Sequence, residues 1–82
     1  MSITYPLSGD RFLLLSGAET QHLTLKADCR LPFPAITWFV DGWEQGAAGP
    51  PYELALDLAR GRHRLMAVGP DGRGDAVEVV VE

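Results

Sequence analysis

The stretch Ile36-Thr37-Trp38-Phe39-Val40-Asp41-Gly42-Trp43-Glu44-Gln45 says most about the fold. Its first five residues alternate. Ile36, Trp38 and Val40 fall on one side, Thr37 and Phe39 on the other, as in a strand with one buried face. Asp41-Gly42 follows at once. That dipeptide supplies the positive φ angles of a two-residue hairpin turn, so Trp43–Gln45 is expected to run back alongside. Trp38 is then expected inside a core and Phe39 outside it.

The same period of two continues in both directions. Leu23, Leu25, Ala27 and Cys29 share one face, with Thr24, Lys26 and Asp28 on the other. His63, Leu65 and Ala67 fall together, leaving Arg62, Arg64 and Met66 outside. Val77, Val79 and Val81 oppose Glu78 and Glu82. Shorter strands are expected at Ile3–Tyr5 and Arg11–Leu15. Pro70-Asp71-Gly72 reads as the turn between the last two strands. Gly46 through Pro51 reads as a loop.

Pro51–Arg60 carries two signals. It is rich in helix formers, with proline near its start and Gly61 just past its end. Yet Tyr52, Leu54, Leu56 and Leu58 alternate strictly. A strand over Tyr52–Asp57 is favoured, with room for one helical turn before Gly61.

About seven short strands at this spacing point to an all-β fold, an immunoglobulin-like antiparallel β-sandwich. Such domains place a tryptophan on the third strand, where Trp38 stands. They place a corner tyrosine early on the sixth strand, and His63 stands there instead. Leu23 or Leu25 with Leu65 would replace the usual disulfide pair by aliphatic packing.

Composition bounds the rest. At 82 residues, folding can bury roughly 63% of the unfolded surface, enough for one core and a single domain over residues 1–82. Seven basic against eleven acidic residues give a net charge of −4, which argues against a general nucleic-acid binder. No apolar run approaches the roughly 18 residues of a membrane span, and membrane contact by this domain is not expected. Met1 leads into Ser2-Ile3-Thr4-Tyr5 rather than a basic and apolar leader. The single cysteine, Cys29, excludes an internal disulfide.

Three pieces together resemble a known family: Ile3-x-Tyr5-Pro6-x-x-Gly9, Ile36-x-Trp38-x-Val40-Asp41-Gly42, and Gly61-Arg62-His63-x-Leu65-x-Ala67-Val68 with Asp71-Gly72-Arg73 after it. The chain is similar from Ile3 to Val81 to the C-terminal module of bifunctional penicillin-binding proteins of the 1C type. The resemblance implies a module excised from a periplasmic, inner-membrane-anchored peptidoglycan synthase. The parent's other domains would polymerise and cross-link peptidoglycan. It implies as partner the parent's transpeptidase domain, another periplasmic protein, or peptidoglycan itself. Catalysis by this chain is not expected: Lys26 is the only lysine, and no Ser-x-x-Lys motif exists.

The remaining chemistry-bearing residues are sparse. Alternation sends His22 to water but His63 and Cys29 to the core, so no metal, cofactor or nucleophile site is expected from them. Asp41 and Asp71 are accounted for as turn residues. Arg73-Gly74-Asp75 spells an integrin-recognition tripeptide, but Asp75 is expected to begin a strand. Arg60, Arg62, Arg64 and Arg73 form a basic cluster that Glu78 and Glu82 would neutralise if Arg64 faces Glu78 and Arg60 faces Glu82. Trp43 has two readings, a platform for sugar rings or a cover over the open sheet edge. The candidate interaction surface is therefore Phe39, Trp43, Arg64, Met66 and Glu78.

Overall fold

The computed structural model describes residues 1–30 and 32–82. Among them it has eight strands and no helix. These are β1 (Ser2–Tyr5), β2 (Arg11–Phe12), β3 (Thr20–Asp28), β4 (Ile36–Val40), β5 (Trp43–Ala48), β6 (Leu54–Ala59), β7 (Gly61–Val68) and β8 (Gly74–Val81). One sheet is ordered β1-β3-β6, the other β2-β8-β7-β4-β5. All pairings are antiparallel except β2 with β8.

The expected inner faces form the core. Leu23, Leu25 and Ala27 of β3 meet Ile36 and Trp38 of β4, Leu65 and Ala67 of β7, and Val77, Val79 and Val81 of β8 in one cluster. Trp38 is fully buried at 0% exposure. A buried indole needs an acceptor for its N–H. Trp38 Nε1 donates to the Tyr52 carbonyl at 3.3 Å, and the Tyr52 hydroxyl donates to the Phe33 carbonyl. Tyr52 holds its backbone at φ 63 to make this arrangement, a conformation rare for a bulky residue. Its own N–H donates to the Gly49 carbonyl at 2.7 Å. Three hydrogen bonds thus fix the corner leading into β6.

Pro51–Arg60 contains no helical turn. β6 begins at Leu54 rather than Tyr52, which lies in a turn, and runs through Leu58 and Ala59 to the bend at Arg60 because Leu54–Ala59 pairs with β3, from Leu25↔Leu54 to Thr20↔Ala59. Cross-strand pairing here overrides helix propensity.

Two further expectations need correction. β5 does not end at Gln45. A bulge between Trp38 and Phe39 absorbs one residue, and the ladder resumes at Trp38↔Gly46 and reaches Ile36↔Ala48. Gly46 stands at φ 156, open to glycine. At the N-terminal edge, Arg11–Leu15 shrinks to the two residues of β2, and Leu13 and Leu15 are 73% and 82% exposed. Beyond Phe12 the Leu14 N–H still bonds just past the end of β8, at the Glu82 carbonyl, 2.8 Å.

β1 and β2 belong to different sheets, joined across Pro6–Asp10. β1 is tied to β8 by the Ile3 N–H, which donates to Asp75 Oδ2 at 2.9 Å. Arg11 reaches Glu82 at 3.0 Å.

Candidate functional site

The Asp41-Gly42 turn does more than reverse the chain. Asp41 at φ 53 and Gly42 at φ 86 make the expected hairpin turn. From there the Asp41 carboxylate crosses to β7. Its Oδ1 accepts the Arg64 N–H at 2.8 Å, and its Oδ2 lies 2.7 Å from His63 Nδ1. The Asp41 N–H donates to the Arg64 carbonyl at 2.9 Å. His63 Nε2 lies 2.7 Å from the Ala59 carbonyl. His63 therefore makes the corner contact expected of it in place of tyrosine, while clasping the hairpin to β7. Its side chain is 14% exposed. Both ring nitrogens face protein acceptors, and the Ser8 Oγ accepts the Glu78 N–H.

Burial would raise the Asp41 carboxyl. The Arg64 N–H, the His63 hydrogen bond and the His63 charge outweigh it and hold that carboxyl below the usual range. A carboxyl whose folded value is depressed contributes stability above its unfolded value, and that contribution is lost as pH falls through the folded value. Parent protein should lose melting temperature as pH drops below about 4. Asp41→Asn should be less stable at neutral pH and show a shallower acid decline. Parallel acid profiles for the two proteins would remove Asp41 from this role.

The outer face of β4, β7 and β8 carries most of the expected surface. Phe39 pairs with Met66, Met66 with Ala76, and Arg64 with Glu78. Phe39 and Met66 are half-buried rather than free in solvent, because each shields the other across the ladder. Arg64 and Glu78 are exposed and face each other in register, yet they form no ion pair within 4.0 Å. Trp43 does not join this group. It pairs with Val40, which puts it on the other side of the sheet, at the hairpin tip, 77% exposed.

The other candidates separate. His22 is exposed and pairs across the ladder with Asp57, 2.9 Å away. Cys29 is a half-buried free thiol packed against the core. Among the described residues no three His, Cys, Asp or Glu side chains converge on a common point. Arg73-Gly74-Asp75 is not a displayed tripeptide. Gly74 already belongs to β8, and Asp75 spends its carboxylate on the Ile3 and Ala76 N–H groups. The neutralising pair expected between Arg60 and Glu82 is replaced by Arg11 with Glu82, because β2 lies beside the end of β8.

Sequence reasoning missed the reach of Asp41 into β7, the bond from Ile3 to Asp75, and the backbone role of Tyr52. Each joins residues at least 14 positions apart. Alternation and turn chemistry carry no signal for such contacts.

Among solved structures the chain is similar to the fibronectin(III)-like modules of Clostridium thermocellum CbhA, with a TM-score of 0.75. At 22% identity over 99% of this chain and 94% of that one, the likeness shows a shared immunoglobulin-like sandwich fold. No curated protein matches the chain. The model of the Penicillin-Binding Protein C-terminus Family matches residues 1–79, nearly the full length, including Trp38, the Asp41-Gly42 turn and His63. It is to the penicillin-binding protein C-terminus family that this chain belongs.

Proposed function

We propose that this chain is a non-catalytic accessory module of a periplasmic, membrane-anchored peptidoglycan synthase of the 1C penicillin-binding type. Its work is to dock on the transpeptidase domain of the same parent through the outer face of β4, β7 and β8. The observation that carries this reading is the Phe39–Met66 pair. It places an aromatic and a thioether side by side on the outer sheet face, with Arg64 and Glu78 in the next row. Those residue types are enriched at interface centres. Membership of a penicillin-binding protein C-terminus family supports choosing a penicillin-binding domain as the neighbour. The sequence supports a non-catalytic role by lacking Ser-x-x-Lys, and no helix is long and apolar enough to cross a membrane among the described residues.

The test is association of the module with the parent's transpeptidase domain, supplied as a separate chain. Phe39→Ala and Met66→Ala should each weaken binding about tenfold, as for residues near an interface centre. Circular dichroism melts should show folded protein in both cases. Parental affinity in both variants would sink the docking reading.

Trp43 supports a second reading. An exposed indole at a hairpin tip suits stacking on sugar rings, and it lies away from Phe39. Retention on purified sacculi that is lost in Trp43→Ala but kept in Phe39→Ala favours glycan binding. No retention removes it.

A further inference from the structure

A cleft of about 560 Å³ opens on the outer face of the five-stranded sheet. Its lining includes Ser8, Arg11, Asp41, Arg62, Arg64, Glu78 and Val80. Register explains the grouping. Val80 of β8 is partnered by Arg11 on one side and Arg62 on the other, so one row reads Arg11, Val80, Arg62. The next row on that face is Glu78 and Arg64. Neighbouring strands lie about 4.8 Å apart, which sets Arg11 and Arg62 roughly 10 Å from each other across a half-buried valine.

The charges here are unevenly committed. Arg11 is held by Glu82 at 3.0 Å. Both Asp41 oxygens are taken, by the Arg64 N–H and by His63. Arg62 and Arg64 have no carboxylate within 4.0 Å among the described residues. Arg62 and Arg64 thus line a cleft shared with Val80 and Ser8, with their charges uncommitted to any carboxylate among the described residues. A guanidinium fork matches a planar carboxylate in two parallel hydrogen bonds. Glu78, close by, penalises a doubly charged phosphate more than a singly charged carboxylate.

We infer that this cleft is a carboxylate subsite, seating an acidic side chain of an extended segment on the partner. The inference rests on the docking reading for the identity of the partner. It adds that the partner's surface presents a Glu or Asp beside the residues that meet Phe39 and Met66. Arg62 and Arg64 take the carboxylate, and Val80 packs against the stem of the acidic side chain.

The subsite can be tested without the partner. The folded module is titrated with acetyl-Gly-Glu-Gly-amide, with acetyl-Gly-Gln-Gly-amide as the neutral control and inorganic phosphate as the competing anion. Nuclear magnetic resonance follows the amides of Ser8, Arg62 and Arg64 and the arginine Nε signals. The Glu peptide should give saturable, salt-sensitive shifts that the Gln peptide does not. Arg62→Gln should weaken them about tenfold, the scale of one lost charge-assisted hydrogen bond, while Arg73→Gln at the β7–β8 turn should leave them unchanged. Equal shifts with the Gln peptide, parental binding by Arg62→Gln, or tighter binding of phosphate than of the Glu peptide would each overturn the assignment. Carboxylate binding that persists while Phe39→Ala and Met66→Ala leave transpeptidase association untouched would overturn the docking reading and spare the subsite.

Discussion

Trp38→Ala should lower the unfolding free energy by about 3–5 kcal/mol, the cost of emptying a large core site. Trp38 is wholly enclosed between the two sheets, and its indole N–H is satisfied by the Tyr52 carbonyl. Truncation removes the ring and leaves that carbonyl without its partner, so cavity and lost hydrogen bond act together. Small domains have about 5–15 kcal/mol of stability in total, so the variant should sit near the edge of folding. A urea titration followed by circular dichroism measures the loss. Trp43→Ala is the internal comparison: its ring is 77% exposed, and the change should be close to neutral. A tolerated Trp38→Ala would mean that the inner face of β4 has been misassigned.

The second large effect is expected at a position with no side chain. Gly74 opens β8 opposite Val68. A methyl group there would overlap the Ala67 carbonyl oxygen and press on the Val68 Cα at 3.3 Å. These are backbone atoms of the paired strand, so the strain cannot be relieved by turning a side chain. Gly74→Ala should cost about 1–3 kcal/mol, in the range of overpacked sites. Gly42→Ala provides contrast. Nothing lies within 4 Å of a Cβ there, and only its φ of 86 opposes the change, at about 1 kcal/mol. Chemical denaturation of the two variants side by side gives the ranking. If Gly74→Ala proves the milder, close approach to Ala67 does not fix the start of β8.

The elements legible in the sequence are those whose signals are local. Leu23–Ala27, Ile36–Val40, Leu65–Ala67 and Val77–Val81 each declare an inner face by alternation, and all four faces are buried. The Asp41-Gly42 and Pro70-Asp71-Gly72 turns declare themselves by residue type, as does the choice of His63 for the corner. What stayed hidden depends on which strand lies beside which. Leu13-Leu14-Leu15 looks like strand because it is apolar, yet β8 ends at Val81 and offers no ladder beyond Glu82. Gly46 looks like a breaker, yet the bulge before it turns glycine into a means of continuing the strand. The candidate surface divides in the same way. Phe39, Arg64, Met66 and Glu78 share a face by parity alone, whereas Trp43 falls on the other side because a two-residue turn pairs it with Val40. The charge partners were least legible. Arg11 captures Glu82 only because β2 lies parallel to β8, and parallel pairing leaves no trace in either segment.

That parallel contact gives the molecule a mechanical character. Met1 lies by Gly69 in the turn that leads into β8, and Glu82 follows directly on the far end of that strand. The eight residues of β8 between them span about 26 Å of extended chain. A pull applied between the two termini would draw β2 and β8 in opposite directions along their length. The bonds from Val80 N–H to Asp10, Glu82 N–H to Phe12 and Leu14 N–H to Glu82 would then be sheared together rather than opened one at a time. β1 would be dragged along β3 in the same fashion, with the Ile3–Asp75 bond as a further anchor. Tension along the molecule's 41 Å axis would thus load these bonds in parallel rather than in series.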